Sequence, residues 1–233
     1  MAAFEVAEAD DWLVTMGVVP TSPHTGMGYI EVGPPIGTFC GREAHRALRF
    51  VEKPDRATAE RFVREGFVWN PGMFIWRVGV VLDEFARFLP SIHRGLTEIG
   101  QAMAAQRGAE TLQWVYPQLP VETIDFGVME KAARVATIPA SFGWSDVGSW
   151  GELFQIAPKD ANGNVIIRGE HVGIDARDIL VHGTGRPVFT VGVQDLVIVD
   201  LPDALLICSR AQSEQVKALV EQLQAEGRWS YLT

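Results

Sequence analysis

The stretch ALRFVEKPDRATAERFVREGF, from Ala47 to Phe67, changes its hydrophobic period in the middle. Ala47 to Glu52 is short, rich in β-formers and stopped by Pro54, which reads as a strand running into a turn. From Asp55 to Gly66 the apolar residues Ala59, Phe62 and Val63 recur at helical spacing. Asp55 is placed to cap that helix and Gly66 to close it. A strand delivered through a proline turn into an amphipathic helix is the building unit of an α/β fold.

Outward from this unit, Trp12 to Val19 and Met27 to Val32 read as further strands, and Phe74 to Val81 as strand passing into helix. Leu82 to Ala133 is mostly helical in pattern, with Tyr116 to Pro120 as its main break. Arg134 to Ala140 returns to strand, and Gly148 then opens a helix toward Ala157. After Pro158 the texture changes. Six short apolar runs between Val165 and Ile207 alternate with Gly and Asp turns, and a helix over Gln212 to Glu226 follows with Val216, Leu219, Val220 and Leu223 on one stripe. No sequence repeat is clear enough to assign a solenoid. The expected division is 1–157 for a main α/β part and 158–233 for a small β-rich appendage, joined through Ala157 to Asn164.

At 233 residues and 47% hydrophobic the chain can bury a sizeable core. Its net charge of -9 argues against a general binder of nucleic acid, which needs Lys and Arg to displace condensed counterions. An anionic substrate would need local cations or a metal. Cys40 and Cys208 are far apart and the five histidines show no ligand spacing, so the cysteines read as buried, reduced thiols rather than a zinc site. The longest apolar stretch, Leu196 to Cys208, is interrupted by Asp200, Pro202 and Asp203 and is too short to span a bilayer. The N-terminus is acidic where a secretory signal would be basic and then apolar. The expectation is a cytoplasmic protein with neither a nucleic-acid nor a membrane partner.

Five polar positions fall where strands end or helices begin. Glu52 and Lys53 stand at the C-terminal end of a strand, the side on which α/β sheets bind ligands; a solvated strand end before a proline is the other reading. Asn70 precedes Pro71 and Gly72, as a ligand-directed amide or simply as a turn residue. Gly28 either lets backbone approach a ligand or bends into its strand. Asp125 opens an amphipathic helix, where it also favours the helix dipole. Asp146 sits between two tryptophans and two glycines in GWSDVGSW, Gly143 to Trp150.

Taken together and in order, LVTMGVVPTSPHTGMGYIEVG, FVEKP, WNPGMFIW, ETIDFGVMEK and GWSDVGSW resemble the sugar-1-phosphate nucleotidyltransferases, most closely the mannose-1-phosphate guanylyltransferase (GDP-mannose pyrophosphorylase) branch. DLVIVDLPDALLIC and SEQVKALV are similar to that family's C-terminal section. The resemblance implies a Rossmann-like nucleotide-diphospho-sugar transferase domain with a mixed sheet, followed by a β-rich section and a terminal helix. It also implies the reaction of GTP with mannose 1-phosphate to give GDP-mannose and pyrophosphate. By the same resemblance Lys53 would hold the sugar phosphate and act in catalysis, and Glu52 and Asn70 would bind sugar hydroxyls. Gly28 and Asp125 would complete the substrate site. Asp146 matches the family's magnesium-ligating aspartate, a hard oxygen donor suited to Mg²⁺ between two negative substrates.

The departures are equally specific. The family's glycine-rich loop, which cradles the triphosphate, has no counterpart, since GGxGxR occurs nowhere in the chain. Its first metal-binding aspartate, which precedes LVTMGVVP, is missing as well. The expectation is a truncated transferase domain, inactive in isolation. The alternative is a non-catalytic subunit that binds sugar phosphate, self-associates or assembles with a full-length homologue. Pro71 stands where the family commonly has a small polar residue.

Overall fold

The computed structural model describes residues 1–228 and divides into two compact units, Met1–Trp144 and Ser145–Thr233. In the first, α1 (Ala2–Ala9) precedes β1 (Leu13–Val18). A long antiparallel hairpin follows, β2 (Gly28–Phe39) with β3 (Arg42–Val51). Cys40 and Gly41, at φ 43° and 71°, form its two-residue turn, the positive-φ pair that matches the twist of the flanking strands. The expectation of a buried Cys40 is therefore corrected: the turn places it at an exposed hairpin tip, where its thiol donates to Glu5 Oε1 at 2.9 Å. Cys208 is half-buried, and both are free thiols.

Helix α2 (Arg56–Glu65) forms as the period requires. The Asp55 carboxylate accepts from the Thr58 N–H, Gly66 closes the helix at φ 81°, and Ala59 and Phe62 are buried. That bond holds the Asp55 carboxyl below the usual aspartate range. Phe62 stacks on Phe67 with centroids 4.2 Å apart, fixing the chain as it leaves the helix for β4 (Val68–Asn70). Burial of a phenylalanine of this kind stabilises by roughly 1.5–3 kcal/mol.

Next come β5 (Phe74–Ile75), α3 (Val78–Phe88), α4 (Pro90–Ala104) and α5 (Gly108–Val115), then a single π-helical turn over Asp125–Met129 and β6 (Val135–Ala140). The mixed sheet runs β4-β2-β3-β6-β1-β5. β1 lies parallel to β6 and antiparallel to β5, and β4 also meets β1 through Val18 and Trp69. Because β4 pairs with both β2 and β1, the C-terminal end of β1, the start of β2 and Asn70 are drawn together. Leu13, Ile30, Phe50, Val68, Val81, Val128 and Met129 form the core beneath this corner.

In the second unit α6 (Trp150–Ile156) starts at a capping box, Ser149 with Glu152, and buries Phe154 against Val165, Leu180, Val197 and Val199. The compact units thus divide ahead of α6, whereas the sequence pattern places the division after it. The short strands are β7 (Val165–Arg168), β8 (His171–Ile174), β9 (Leu180–Gly183), β10 (Val188–Val191), β11 (Leu196–Asp200) and β12 (Leu205–Ser209). β7, β9 and β11 stack in parallel on one face, β8 and β10 on a second, and Arg177 bridges Gln194 at a third. This is a short parallel β-helix, with β12 returning antiparallel to β11. A 3₁₀ turn (Arg210–Gln215) leads into α7 (Val216–Ala225). No helix among the described residues is long and apolar enough to cross a membrane.

Candidate functional site

Four of the sequence-selected segments meet at the corner made by β1, β2 and β4. Gly28 and Asn70 are direct partners across the antiparallel pair of β2 and β4. Glu52 stands one residue beyond β3, on the strand neighbouring β2, and Asp125 opens the π-helical turn. The missing side chain of Gly28 is what admits Glu52: a Cβ there would stand 2.4 Å from Glu52 Oε2 and 3.3 Å from Asn70 Cβ. The glycine thus provides space for a carboxylate, a role its strand position alone does not reveal.

Asn70 is held on three sides. Its Oδ1 accepts from the Thr15 hydroxyl at 3.2 Å and from the Gly72 N–H at 3.2 Å, while its Nδ2 donates to Asp125 Oδ1 at 3.0 Å. The backbone N–H of Gly72 can only donate and an ionised carboxylate only accept, so the two ends of the amide are unambiguous. Pro71 leaves Gly72 to adopt the φ of 71° that folds its N–H back onto Asn70.

Glu52 and Lys53 behave differently although they are adjacent. The Glu52 side chain is 12% exposed and that of Lys53 65%, with 3.4 Å between Nζ and Oε1. Burial pushes the Glu52 carboxyl above the ordinary glutamate range. The neighbouring charges of Asp125 and, to a lesser extent, Glu130 act in the same direction, while Lys53 opposes them. Lys53 adopts φ 46°, an uncommon conformation for a residue with a side chain. Glu130 accepts the Glu52 backbone N–H at 3.4 Å. The π-helical turn makes this geometry, since the Glu130 N–H bonds the Asp125 carbonyl five residues back. Such turns recur at functional sites.

Thr15 and Glu130 were not selected from the sequence. Thr15 had one visible signal, a hydroxyl within the apolar strand LVTMGV. Glu130 had none, because an α-helical reading sets it on a different face from Asp125.

Asp146 lies in the second unit, in the exposed loop before α6. Val147 beside it has φ 50°, and the Asp146 carboxylate forms no hydrogen bond or ion pair with a described residue. No group of three His, Cys, Asp or Glu side chains suited to a metal occurs among the described residues. Asp146 offers one hard anionic ligand, which fits a Mg²⁺ ion whose other ligands are phosphate and water, and does not fit an all-protein cage.

The family model described as nucleotidyl transferase matches residues 1–163. The chain belongs to the nucleotidyl transferase family. A second family model, the mannose-phosphate isomerase/GMP-like β-helix domain, matches residues 169–223, the stacked parallel coils of the second unit. Mannose-1-phosphate guanylyltransferases of Klebsiella pneumoniae and Escherichia coli are each 38% identical over 98% of the chain and 49% of their own length. The alginate biosynthesis protein AlgA of Pseudomonas aeruginosa is 35% identical over 93% of the chain and 45% of its own length. The chain thus spans about half the length of the curated relatives it matches. A solved structure from Thermus thermophilus, described as a mannose-1-phosphate geranyltransferase, superposes with a TM-score of 0.83 at 35% identity. That match covers 95% of this chain and 63% of the other.

Proposed function

We propose that this chain carries the sugar-phosphate end of a mannose-1-phosphate guanylyltransferase site, whose overall reaction converts GTP and mannose 1-phosphate to GDP-mannose and pyrophosphate in the cytoplasm. The observation that carries the reading is the cluster of Lys53, Glu52, Asn70, Asp125 and the side-chain-free Gly28 at one corner of the first unit. Lys53 presents an exposed cation beside Glu52, suited to a sugar phosphate through charge-assisted hydrogen bonds. Glu52, shielded and with an acceptor-only carboxylate when ionised, accepts a hydrogen bond from a sugar hydroxyl, and Asn70 donates its remaining Nδ2 hydrogen to a hydroxyl oxygen. Because three neighbours already fix Asn70, little ordering entropy is lost when substrate binds.

Asp146 would supply one carboxylate to Mg²⁺, whose charge would offset that of a phosphate. The division of labour follows residues 1–157 and 158–233, the first part binding sugar phosphate and the second forming the β-helix section. A second reading of this chain is a sugar-phosphate-binding subunit that works with another polypeptide or a second copy. Calorimetric titration tests the common element. The chain is expected to bind mannose 1-phosphate, and Lys53→Ala to weaken that binding about tenfold, as loss of a charge-assisted bond requires. No binding by the unmutated chain, or equal binding by Lys53→Ala, would overturn it. Incubation with GTP, mannose 1-phosphate and Mg²⁺ separates the two readings, since sustained pyrophosphate release belongs only to the enzyme.

A further inference from the structure

Thr15 lies in the middle of β1, paired with Phe74 on one side and Thr137 on the other, and has no solvent exposure. A hydroxyl in that position costs free energy unless it is bonded, and valine would fill the same volume without the cost. Its single hydroxyl hydrogen is shared between two acceptors at 3.2 Å, the Met16 carbonyl and Asn70 Oδ1, and the second contact is a fully buried side-chain-to-side-chain bond across this corner. The Gly72 N–H occupies the second acceptor direction of the same oxygen. Asn70 Oδ1 is thereby committed to the protein, and one Nδ2 hydrogen is committed to Asp125. What Asn70 can offer a ligand is a single N–H.

We infer that Thr15 is a positioning residue that holds Asn70 as a donor-only contact for a substrate hydroxyl, a role that rests on the sugar-phosphate reading of this corner. A donor-only Asn70 beside the acceptor carboxylate of Glu52 selects a ligand that presents a hydroxyl oxygen to one and a hydroxyl proton to the other. An aldose 1-phosphate with free hydroxyls meets this demand. An analogue with a hydroxyl replaced by hydrogen at the Asn70 contact leaves that N–H unpaired and loses affinity.

The experiment compares the unmutated chain with Thr15→Val, Thr15→Ala and Thr15→Ser. Two readouts are taken: the Asn70 side-chain amide signals in ¹H–¹⁵N spectra without ligand, and the Kd for mannose 1-phosphate by calorimetry. Thr15→Val is expected to speed exchange of the Asn70 amide hydrogens and to raise Kd about five- to tenfold, the loss of one buried hydrogen bond of orientation. Thr15→Ala should do the same if valine disturbs the strand, and Thr15→Ser should restore both readouts. Unchanged amide exchange in the hydroxyl-free variants overturns the hold of Thr15 on Asn70 whether or not any sugar binds. Faster exchange with an unchanged Kd overturns its role toward substrate. If the unmutated chain binds no sugar phosphate, the sugar-phosphate reading falls and takes the substrate half of this inference with it, while the ligand-free spectra still decide the Thr15–Asn70 contact.

Discussion

Asn70 Nδ2 and Asp125 Oδ1 are 3.0 Å apart although 55 residues separate them in the chain. The bond ties the end of β4 to the first residue of a π-helical turn. Burial raises the proton affinity of Glu52 and the Asp125 charge adds to it, so one carboxylate both orients the amide and bears on the neighbouring acid.

Replacing Asp125 with Asn should lower the Glu52 pKa, because it removes a negative charge that disfavours ionisation. Carboxyl ¹³C titration of Glu52 in the two proteins checks the direction; an unchanged or higher value would refute it. Stability follows with a defined sign. A raised carboxyl pKa in the folded state contributes stability that is fully present below the unfolded pKa and is lost as pH rises through the folded value. Glu52→Gln should therefore gain stability relative to the unmutated chain as pH rises from the ordinary glutamate range through the raised Glu52 value, as measured by urea midpoints across pH.

Gly28→Ala should leave a folded chain with a damaged site. The new Cβ would meet Glu52 Oε2 at 2.4 Å and Asn70 Cβ at 3.3 Å, and the flexible Glu52 side chain is the partner able to yield. Affinity for mannose 1-phosphate is expected to fall at least tenfold while the thermal midpoint moves by only a few degrees, a displacement of one polar contact rather than of the core. Native affinity in this variant would show that the Glu52 carboxylate does not bear on the ligand.

Lys53→Ala should weaken mannose 1-phosphate far more than GTP in any assembly that binds both. Equal losses for the two ligands, measured by competition, would place the ammonium elsewhere than on the sugar phosphate.

Arg186 makes a paired contact with Asp200 in the β-helix unit, Nε to Oδ2 at 3.0 Å and Nη2 to Oδ1 at 2.7 Å. The Asp200 side chain is 6% exposed, so Arg186→Ala would leave a shielded carboxylate without its cation. The melting midpoint of that unit is expected to drop by roughly 5 °C or more, and the double variant Arg186→Ala, Asp200→Ala to recover part of the loss. A single-variant midpoint within about 1 °C of the unmutated chain would contradict this.

Helix α2 was legible because each of its signals is local: Asp55 as cap, Ala59 and Phe62 at helical spacing, and Gly66 as stop. The β2–β3 hairpin is longer than its pattern suggests because register shifts between Glu31 and Gly37 absorb Pro34 and Pro35, which read as the end of a strand. The N-terminal helix α1 was passed over as merely acidic, yet its Ala3, Val6 and Ala7 are buried. In the β-helix, two residues join β7 to β8 and four join β9 to β10, and this difference hides the repeat from a search for fixed spacing. At the candidate site the segments were visible one by one. The contacts of Thr15 and Glu130 were not, because they depend on strand pairing and on a non-α turn.

The π-helical turn makes this corner sensitive to helical winding as well as to chemistry. Five residues, not four, separate the bonded Asp125 carbonyl and Glu130 N–H, and in that spacing Asp125 meets Asn70 while Glu130 meets the Glu52 backbone. Were the same five steps wound at α-helical pitch, about 100° each, the two carboxylates would stand about 140° apart around the axis. Every side chain of the corner would still be present, yet its two acids would be out of phase.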